Sequence, residues 1–202
     1  MSFLPIKNPP KSKVRRAVSQ TIFNSKTGSL WGAYYVNAKS KQSPWDDGPR
    51  SAKKCTIRHF HLIVKRHREL AKKDDWYFWG LFEKDSRKLV GHIDFDIFAR
   101  DEQQFANFGY YLHNQFYGYG YGREAAAMGL RIAFSFLKLN RVEAAINFGN
   151  RKSIRLARMI GMRRECIRKR YWHEHGQWTD HLIYVANPED VQLKPKPPWR
   201  KK

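Results

Sequence analysis

Three glycines at alternate positions form the part of the chain best suited to hold a phosphate. Gly118, Gly120 and Gly122 follow a run, residues 105–112, that is typical of a strand, and they precede a helical pattern. A glycine-rich turn between a strand and a helix brings several backbone N–H groups and the positive end of the helix dipole to one point. Glycine permits close approach of a ligand and the positive φ that some turn positions require. The pattern therefore predicts a site for a phosphate or a pyrophosphate.

The spacing of this turn narrows the choice of ligand. Its third glycine lies two residues after the second, so the turn does not match the dinucleotide pattern G-x-G-x-x-G, and no Gly-Lys-Ser/Thr follows as in a P-loop. Gln115, Gly118 and Gly120 have instead the spacing Q-x-x-G-x-G. This spacing resembles the pyrophosphate loop of the GNAT acetyltransferases, which holds coenzyme A. A tight turn without a ligand is the alternative interpretation.

Two further elements, in the order found in that family, extend the resemblance. Asn150 and Ser153, followed by Gly161, are similar to the N-x-x-S…G-F element of the superfamily, and Asn150 is suited to cap a helix. Residues 176–181, Gly-Gln-Trp-Thr-Asp-His, resemble the G-x-W-x-D-H ending of the bacterial ribosomal-protein N-terminal acetyltransferases, the RimJ/RimL branch. The resemblance covers residues 76–185, and only loosely the part of the chain before them.

The resemblance implies that acetyl-CoA lies where two parallel strands, 105–112 and 141–148, separate. Its pantetheine arm would pair with backbone groups at the end of the first strand, and its pyrophosphate would meet the N–H groups of the glycine-rich turn. Arg123 would add positive charge for the phosphates. The expected cofactor-binding residues are Leu112, His113, Gln115, Tyr117, Gly118, Tyr119, Gly120, Tyr121, Gly122, Arg123, Asn150 and Ser153.

The implied reaction is direct transfer of an acetyl group to an amine. A backbone N–H near Tyr111 would stabilise the charge that develops on the thioester oxygen, and the Ser153 hydroxyl would lie near the sulfur. Capping of a helix N-terminus is an alternative role for Ser153. The commoner tyrosine acid of the superfamily would fall at Ala157, so that version of the mechanism is excluded.

The identity of the general base stays open at this point. Asp94 and Asp96 share one face of a predicted strand, where they would raise each other's pKa or bind the ammonium group of the acceptor. A solvated strand face is the alternative for both. Related enzymes place a carboxylate where this chain has Trp172, and a water relay would also serve, since an N-terminal amine is partly neutral at cytosolic pH. The other candidate bases are His113, Glu165 and Glu174.

The order of the predicted elements indicates a mixed α/β (α+β) fold. Combined with the resemblance, it implies a GNAT-like architecture: a central, mostly antiparallel twisted sheet with one splayed parallel strand pair and helices on both faces. Strands are expected at residues 76–83, 89–98, 105–112, 141–148, 163–173 and 178–185, and helices at residues 51–73, 122–139 and from Asn150.

Histidine spacing predicts no metal site. His59, His61 and His67 lie on the helix expected at residues 51–73, but they form no i, i+4 pair. We therefore expect solvated or capping roles for these three side chains and no metal cofactor.

The charge of the chain predicts attraction to a polyanion. The net charge is +21 over 202 residues. Residues 1–45 contain eight Lys or Arg and no acid, and residues 151–170 contain nine against the single acid Glu165. RNA, a ribosomal surface, DNA or anionic lipid would be attracted by this charge, and polycationic acceptors would be repelled. A solvated basic surface without a dedicated partner is the alternative.

Composition and segment boundaries complete the expectations. Two cysteines, far apart, fit a reducing cytoplasm. No apolar run reaches the roughly 20 residues of a membrane span, and no secretory signal is evident, so we expect a cytoplasmic protein without a membrane partner. We expect a flexible basic arm at residues 1–15, one acetyltransferase domain at 16–187 and a basic Pro/Lys-rich tail at 188–202, in a monomer or a homodimer.

Three functions remain open on the sequence alone. The first is acetylation of the N-terminal amine of a ribosomal or other nucleic-acid-associated protein. The second keeps the acetyl-CoA donor but takes an aminoacyl-tRNA or a small-molecule amine as acceptor. The third is a non-catalytic nucleic-acid-binding module on the same scaffold.

Overall fold

A seven-stranded mixed sheet forms the centre of the computed structural model, which describes residues 14–16, 32, 34–83, 86 and 88–195. Its strands are β1 (Val14–Arg16), β2 (Trp76–Glu83), β3 (Leu89–Ala99), β4 (Phe105–Leu112), β5 (Arg141–Asn147), β6 (Arg163–Glu174) and β7 (Gln177–Ala186). Their order is β1-β2-β3-β4-β5-β7-β6. Strands β4 and β5 are parallel, whereas β1 with β2, β5 with β7 and β6 with β7 are antiparallel. The predicted fold class is confirmed.

Three α-helices accompany the sheet in the described part of the chain. They are α1 (Ile57–Lys73), α2 (Tyr121–Ser135) and α3 (Arg151–Met159), and short 3-10 helices lie at Ala52–Lys54, Asn114–Phe116 and Pro188–Val191. Residues 34–36 are helical as well. The boundaries of β2 and β4 agree with the sequence prediction at both ends.

The helix expected at residues 51–73 is divided in two. The 3-10 helix Ala52–Lys54 comes first, and α1 begins only at Ile57, after Thr56 in an extended conformation. The Thr56 hydroxyl accepts a hydrogen bond from the His59 N–H at 3.2 Å. This side-chain cap satisfies a backbone donor at the helix start, so the chain begins a new helix there.

Helix α2 ends earlier than predicted, at Ser135 rather than near Leu139. The backbone turns at Lys138, which has a φ of +58°. The N–H groups of Leu137 and Leu139 donate back to the carbonyls of Ile132 and Ala133 at 3.0 Å each. Such closures commonly use glycine. A lysine in the left-handed position carried no such signal in the sequence.

The chain divides into two compact units, and the first comprises residues 1–94 and 110–125. Its α1 is amphipathic, with Phe60 and Val64 buried and the basic side chains exposed. Burial of apolar side chains is the main force holding such a unit together. The core cluster of this unit consists of Tyr35, Phe60, Val64, Phe82 and Leu89.

The second unit comprises residues 95–109 and 126–202. Strand β7 is buried continuously from His181 to Ala186, as expected for a strand with neighbours on both sides, whereas the edge strand β6 is mostly exposed. Helix α2 buries Ala126, Leu130 and Ala133, which lie three to four residues apart and so share one face of the helix.

The expected segment boundaries are only partly covered by the structure. Residues 1–13 of the predicted arm and residues 196–202 of the predicted tail lie outside the described residues. The tail begins with an ordered 3-10 helix, in which Pro188 is buried and Asp190 pairs with Arg163 at 3.0 Å. The single domain at 16–187 stays a prediction.

Candidate functional site

The glycine-rich turn lies in the first unit, between the 3-10 helix Asn114–Phe116 and the start of α2. Gly118 has a φ of +89° and Gly120 a φ of +86°. L side chains are strained in this region, so the conformation favours glycine at both positions. A Cβ added to either would have no described atom within 4 Å. The backbone of the turn therefore faces open space, which a ligand could enter.

Two tyrosines of the turn are tied to distant parts of the chain. The Tyr117 hydroxyl donates to Asp46 at 2.9 Å, and the Tyr121 hydroxyl donates to Glu83. Asp46 is buried and also accepts bonds from the Gln42 N–H at 3.0 Å and the Ser43 hydroxyl at 2.7 Å. The hydrogen bond to Glu83 raises the pKa of Tyr121 to about 12. Both tyrosines therefore remain protonated donors that hold the turn.

The end of β4 lies directly before this turn, and it packs closely on β3. A Cβ at Gly91 would overlap the Tyr111 carbonyl oxygen, so this position must be glycine. The His113 N–H donates to the Val90 carbonyl and the His113 carbonyl accepts from the Phe116 N–H, both at 2.9 Å. The His113 N–H is therefore already paired within the chain, and the expected contact of the His113 backbone with a pantetheine arm stays a prediction.

The second unit contains the diverging part of the parallel strand pair. Strands β4 and β5 pair at three positions, from Phe105 with Arg141 to Asn107 with Glu143. Within this unit, β4 continues to Gly109 and β5 continues to Asn147. Beyond Asn107 and Glu143, the described residues of the two strands no longer pair with each other. The predicted splay is thus present in the backbone.

Helix α3 starts immediately beyond β5, with the predicted cap. The Asn150 side-chain oxygen accepts a hydrogen bond from the Ser153 N–H at 3.1 Å. The prediction of an N-cap at Asn150 is confirmed, and Ser153 takes part as the donor through its backbone N–H. Ser153 is half-buried.

Comparison with known proteins shows to which family the chain belongs. The model of the acetyltransferase (GNAT) domain matches residues 31–163. The chain belongs to this family. The probable N-acetyltransferase YjcK of Bacillus subtilis (strain 168) is 31% identical over 130 residues, which are 64% of this chain and 72% of YjcK. The chain is therefore a GNAT N-acetyltransferase. The alternative of a non-catalytic nucleic-acid-binding module is set aside.

Two relatives of this GNAT chain belong to the ribosomal-protein branch. The [ribosomal protein uS5]-alanine N-acetyltransferase of Escherichia coli (strain K12) is 24% identical over 157 residues, 78% of this chain and 80% of that enzyme. The solved structure of Mycobacterium smegmatis RimJ in complex with CoA-disulfide superposes with a TM-score of 0.69 at 20% identity, and covers 86% of this chain and 83% of that one. The structural likeness shows a shared fold.

The carboxylates considered as GNAT bases differ in their surroundings. Asp94 accepts a bond from the Trp76 indole N–H at 3.2 Å, and Asp96 is exposed, as the solvated alternative expected. Glu165 forms an ion pair with Arg141, whose hydrogen bond lowers the pKa of Glu165. Glu174 accepts bonds from the Asn147 amide and, at 2.9 Å, from the Thr179 hydroxyl. Glu165 is therefore the least suited to take up a proton.

The sequence-predicted residues are divided between the two units. The first unit contains Asp94, Tyr111, Leu112, His113, Gln115 and residues 117–123, and the second contains Asp96, Asn150 and Ser153. Tyr119 and Arg123 are exposed, while the Gln115 amide donates to the Tyr34 carbonyl at 3.2 Å. The Gln115 side chain thus anchors the start of the turn.

A column of stacked rings in the first unit was not foreseen. His67 stacks on Phe78 with ring centroids 4.3 Å apart, Phe78 on His92 at 4.4 Å, and His92 on Tyr111 at 5.0 Å. The prediction that His67 is solvated is wrong, because it lies against Phe78 inside this column. The rings come from α1, β2, β3 and β4, so only the order of the strands brings them together.

Burial keeps the histidines of this region uncharged. It lowers the pKa of His67 to about 4 and that of His92 to about 3. It also lowers the pKa of His113, which makes an edge contact with Tyr111 at 5.4 Å, to about 4. At neutral pH all three are neutral imidazoles, which can both donate and accept hydrogen bonds.

The described part of the chain contains neither a metal-binding cluster nor a membrane-spanning helix. Among its residues, no group of three or more His, Cys, Asp or Glu side chains is arranged to hold a metal ion. No helix within the same residues is both long and apolar enough to cross a membrane.

Proposed function

We propose that the chain transfers the acetyl group of acetyl-CoA to the N-terminal amine of a ribosomal or other nucleic-acid-associated protein. The observation that carries the proposal is the open glycine turn, with Gly118 and Gly120 in left-handed conformation directly before α2. Its amide hydrogens and the helix dipole suit the pyrophosphate of coenzyme A. The relatedness to a uS5-alanine N-acetyltransferase supports the choice of acceptor.

In the first unit, we assign donor binding to the turn and to the end of β4. The N–H groups of residues 118–122 bind the pyrophosphate, Arg123 adds charge, and Gln115 anchors the turn through Tyr34. Leu112 supplies backbone groups for the pantetheine arm, and the Tyr111 N–H stabilises the oxyanion. The bound thioester supplies the activated acetyl group.

In the second unit, we assign proton donation to Ser153. The amine nitrogen attacks the thioester carbonyl carbon, a C–N bond forms, and the C–S bond breaks. The departing thiolate takes a proton from the Ser153 hydroxyl, which regains one from water. Asn150 fixes the first turn of α3 by accepting from the Ser153 N–H, and so positions this hydroxyl.

Removal of the amine proton is assigned to solvent with help from carboxylates. Asp94 and Asp96 attract the ammonium form of the acceptor, and water carries the proton away. An N-terminal amine has a pKa near 8, so a useful fraction is already neutral at cytosolic pH. A strong base is not required.

The test is release of the coenzyme A thiol with a panel of peptides that begin with Ser, Ala or Thr. Formylated versions of the same peptides are the matched controls, since they have no free amine. The proposal predicts thiol release with free peptides only, and a mass increase at the N-terminus. If acetyl-CoA binds but neither peptides nor intact ribosomes are acetylated, the proposed acceptor is wrong.

We further propose that the basic surface contacts RNA or the ribosome in the cytoplasm. The exposed side chains of Arg151, Arg155 and Arg164 have no carboxylate partner among the described residues. Docking on RNA would raise the local concentration of a ribosomal substrate. Binding should weaken steeply as salt rises, because each neutralised phosphate releases counterions. Salt-independent binding would contradict this contact.

An aminoacyl-tRNA acceptor is the second candidate, favoured by the same charge. Mass spectrometry of tRNA-linked amino acids after incubation with acetyl-CoA distinguishes it from the first. Acetylated tRNA without acetylated peptide would replace the protein acceptor by tRNA. Sedimentation of the same sample tests the expected monomer or homodimer.

A further inference from the structure

A cavity of about 120 Å³ in the first unit lies beside the ring column. Its wall includes the three neutral imidazoles together with the aromatic rings of Tyr35 and Phe78 and the guanidinium of Arg50. Apolar side chains of α1, among them Ile63, form the rest of one wall. The cavity can therefore accept an uncharged group that is apolar or makes one or two hydrogen bonds.

One buried polar atom in this wall lacks a partner. His113 is 2% exposed, and its Nδ1 has no hydrogen-bond partner among the described residues. An unpaired buried polar atom is costly, and native structures rarely keep one without a reason. A ligand group that hydrogen-bonds His113 would remove this cost. The orphaned nitrogen thus points to an occupant.

The cavity also lies next to the proposed reaction centre within the same unit. Tyr111, to whose N–H we assign the oxyanion, stacks on His92 and contacts His113 edge-on, and both histidines line the cavity. Under the proposed function, the amine must reach the acetyl carbonyl at this strand end. The substituent next to the amine then faces the cavity.

A second, wider depression shares Arg50 with the cavity and is strongly basic. Its wall includes Lys53 and Lys54 of the 3-10 helix Ala52–Lys54, and Arg58 and His59 at the start of α1. Lys53, Lys54 and Arg58 are exposed, and no carboxylate pairs with them in the described part of the chain. Arg50 is held in place by Asp47 at 2.8 Å and by the Tyr35 ring at 4.0 Å.

We propose that the two concavities bind the N-terminus of an acidic peptide: the cavity takes the uncharged first side chain, and the basic depression binds the carboxylates that follow it. This inference rests on the proposed function and specifies its acceptor. Charge complementarity selects the occupant, because Lys53, Lys54 and Arg58 line the depression without an acid partner among the described residues. A basic peptide or a polyamine is repelled at the same place.

The first test compares three peptides that share an N-terminal serine and continue with acidic, neutral amide or basic residues. We expect kcat/KM to be roughly tenfold higher for the acidic than for the neutral peptide, and lowest for the basic one. The double variant Lys53→Gln/Lys54→Gln should reduce the acidic-to-neutral ratio by roughly threefold to tenfold. The double variant Lys65→Gln/Lys72→Gln, which removes equal charge from exposed positions of α1 outside the depression, should keep the ratio. Equal kcat/KM for all three peptides would overturn the inference.

The second test concerns the cavity. Ile63→Phe narrows it and should lower kcat/KM strongly for peptides that begin with threonine or a larger residue, but little for those that begin with glycine. A thermal melt checks that the variant is folded. An equal loss for all first residues would contradict the placement of the first side chain.

Binding measured without donor separates the two proposals. Fluorescence anisotropy with a labelled acidic peptide should show binding that the Lys53→Gln/Lys54→Gln variant weakens. If this holds while no acceptor is acetylated, the proposed function fails and the peptide site stands. If turnover occurs without any acidic preference, only the peptide site fails. Should single-stranded RNA bind through Lys53 and Lys54 while peptide selectivity is unaffected by their loss, the depression is an RNA surface and the inference is overturned.

Discussion

Ionisable side chains are charged and paired in the second unit, whereas buried histidines of the first unit are uncharged. In the second unit, the buried Glu143 pairs with Arg141 at 2.7 Å and with Arg168 at 2.8 Å, and Arg141 also pairs with Glu165. In the first unit, His92 and His113 are kept neutral by burial. The charges around Glu143 in the second unit satisfy one another, whereas the first unit leaves the buried Nδ1 of His113 unpaired among the described residues.

This contrast distinguishes polar groups that are already paired within the fold from polar groups that can still bind a ligand. A carboxylate whose oxygens are already bound by arginines has no capacity left for a substrate. A neutral imidazole in an aromatic cavity can still donate or accept a hydrogen bond. The receptive imidazoles of His92 and His113 therefore lie in the first unit, whereas the ion pairs around Glu143 lie in the second.

As pH falls, the first unit should lose stability at a higher pH than the second. The folded-state pKa values of His92, about 3, and His113, about 4, lie below the ordinary 6.5, so the stability they contribute is complete above about pH 6.5 and is lost as pH falls below it. For these two groups we expect a loss of about 2–4 kcal/mol in the free energy of unfolding between about pH 7 and pH 5.

The paired acids respond only at lower pH. Glu165 and Asp190 have pKa values lowered from 4.5 and 3.8, so their stabilisation is lost below those values. Urea unfolding at several pH values checks the order of the two windows. A variant with His92→Phe, which keeps a flat ring in the stack, should show a smaller loss between about pH 7 and pH 5. Unchanged stability of the original chain across that window would contradict the neutral, buried state of the imidazoles.

Loss of the central acid should destabilise the second unit. Glu143→Gln leaves two arginines without their shared buried carboxylate, and we expect a cost of about 2–3 kcal/mol, discounted because both arginines are partly exposed. Glu165→Gln is the matched control, since Glu165 is 43% exposed, and it should cost less than about 1 kcal/mol. Chemical denaturation measures both. If the control costs as much as Glu143→Gln, burial of the pair is not what stabilises it.

The anchoring of the glycine turn should give a smaller effect. Tyr117→Phe removes the hydroxyl that donates to the buried Asp46, at an expected cost of about 1 kcal/mol and with weaker binding of acetyl-CoA. Tyr119→Phe is the control, because the Tyr119 side chain is 66% exposed. Melting temperatures and calorimetric titrations compare the two. Equal behaviour would mean that the Asp46 contact does not hold the turn.

Local signals in the sequence predicted the elements that depend on nearby residues. The aromatic-rich strand β2, the glycine turn before α2 and the Asn150 cap were all predicted correctly, since each rests on residues within a few positions. The Thr56 cap and the left-handed Lys138 were missed, because threonine and lysine are weak signals for a helix boundary.

Contacts between distant residues could not be predicted. The Asp46–Tyr117 bond spans 71 positions, and nothing in either local pattern connects the two residues. Likewise, His67 and His92 approach the same Phe78 only because α1 and the strands β2 and β3 pack in this order. The ring column and its cavity depend on the order in which the helix and the strands pack. The spacing of histidines along the chain does not predict that order.

Binding of the donor to the glycine turn is tested most directly by calorimetric titration. Acetyl-CoA and S-acetyl-pantetheine, which lacks the diphosphate, would be titrated into the original chain, Gly120→Ala and Gly176→Ala. Gly176 has a φ of +81° with nothing within 4 Å of an added Cβ, so its substitution imposes the same backbone strain in the β6–β7 turn. We expect acetyl-CoA to bind at least tenfold more weakly to Gly120→Ala only, with S-acetyl-pantetheine weak throughout. Two results would contradict the role of the turn. One is equal affinity of the original chain for acetyl-CoA and S-acetyl-pantetheine, and the other is equal affinity of the two variants for acetyl-CoA.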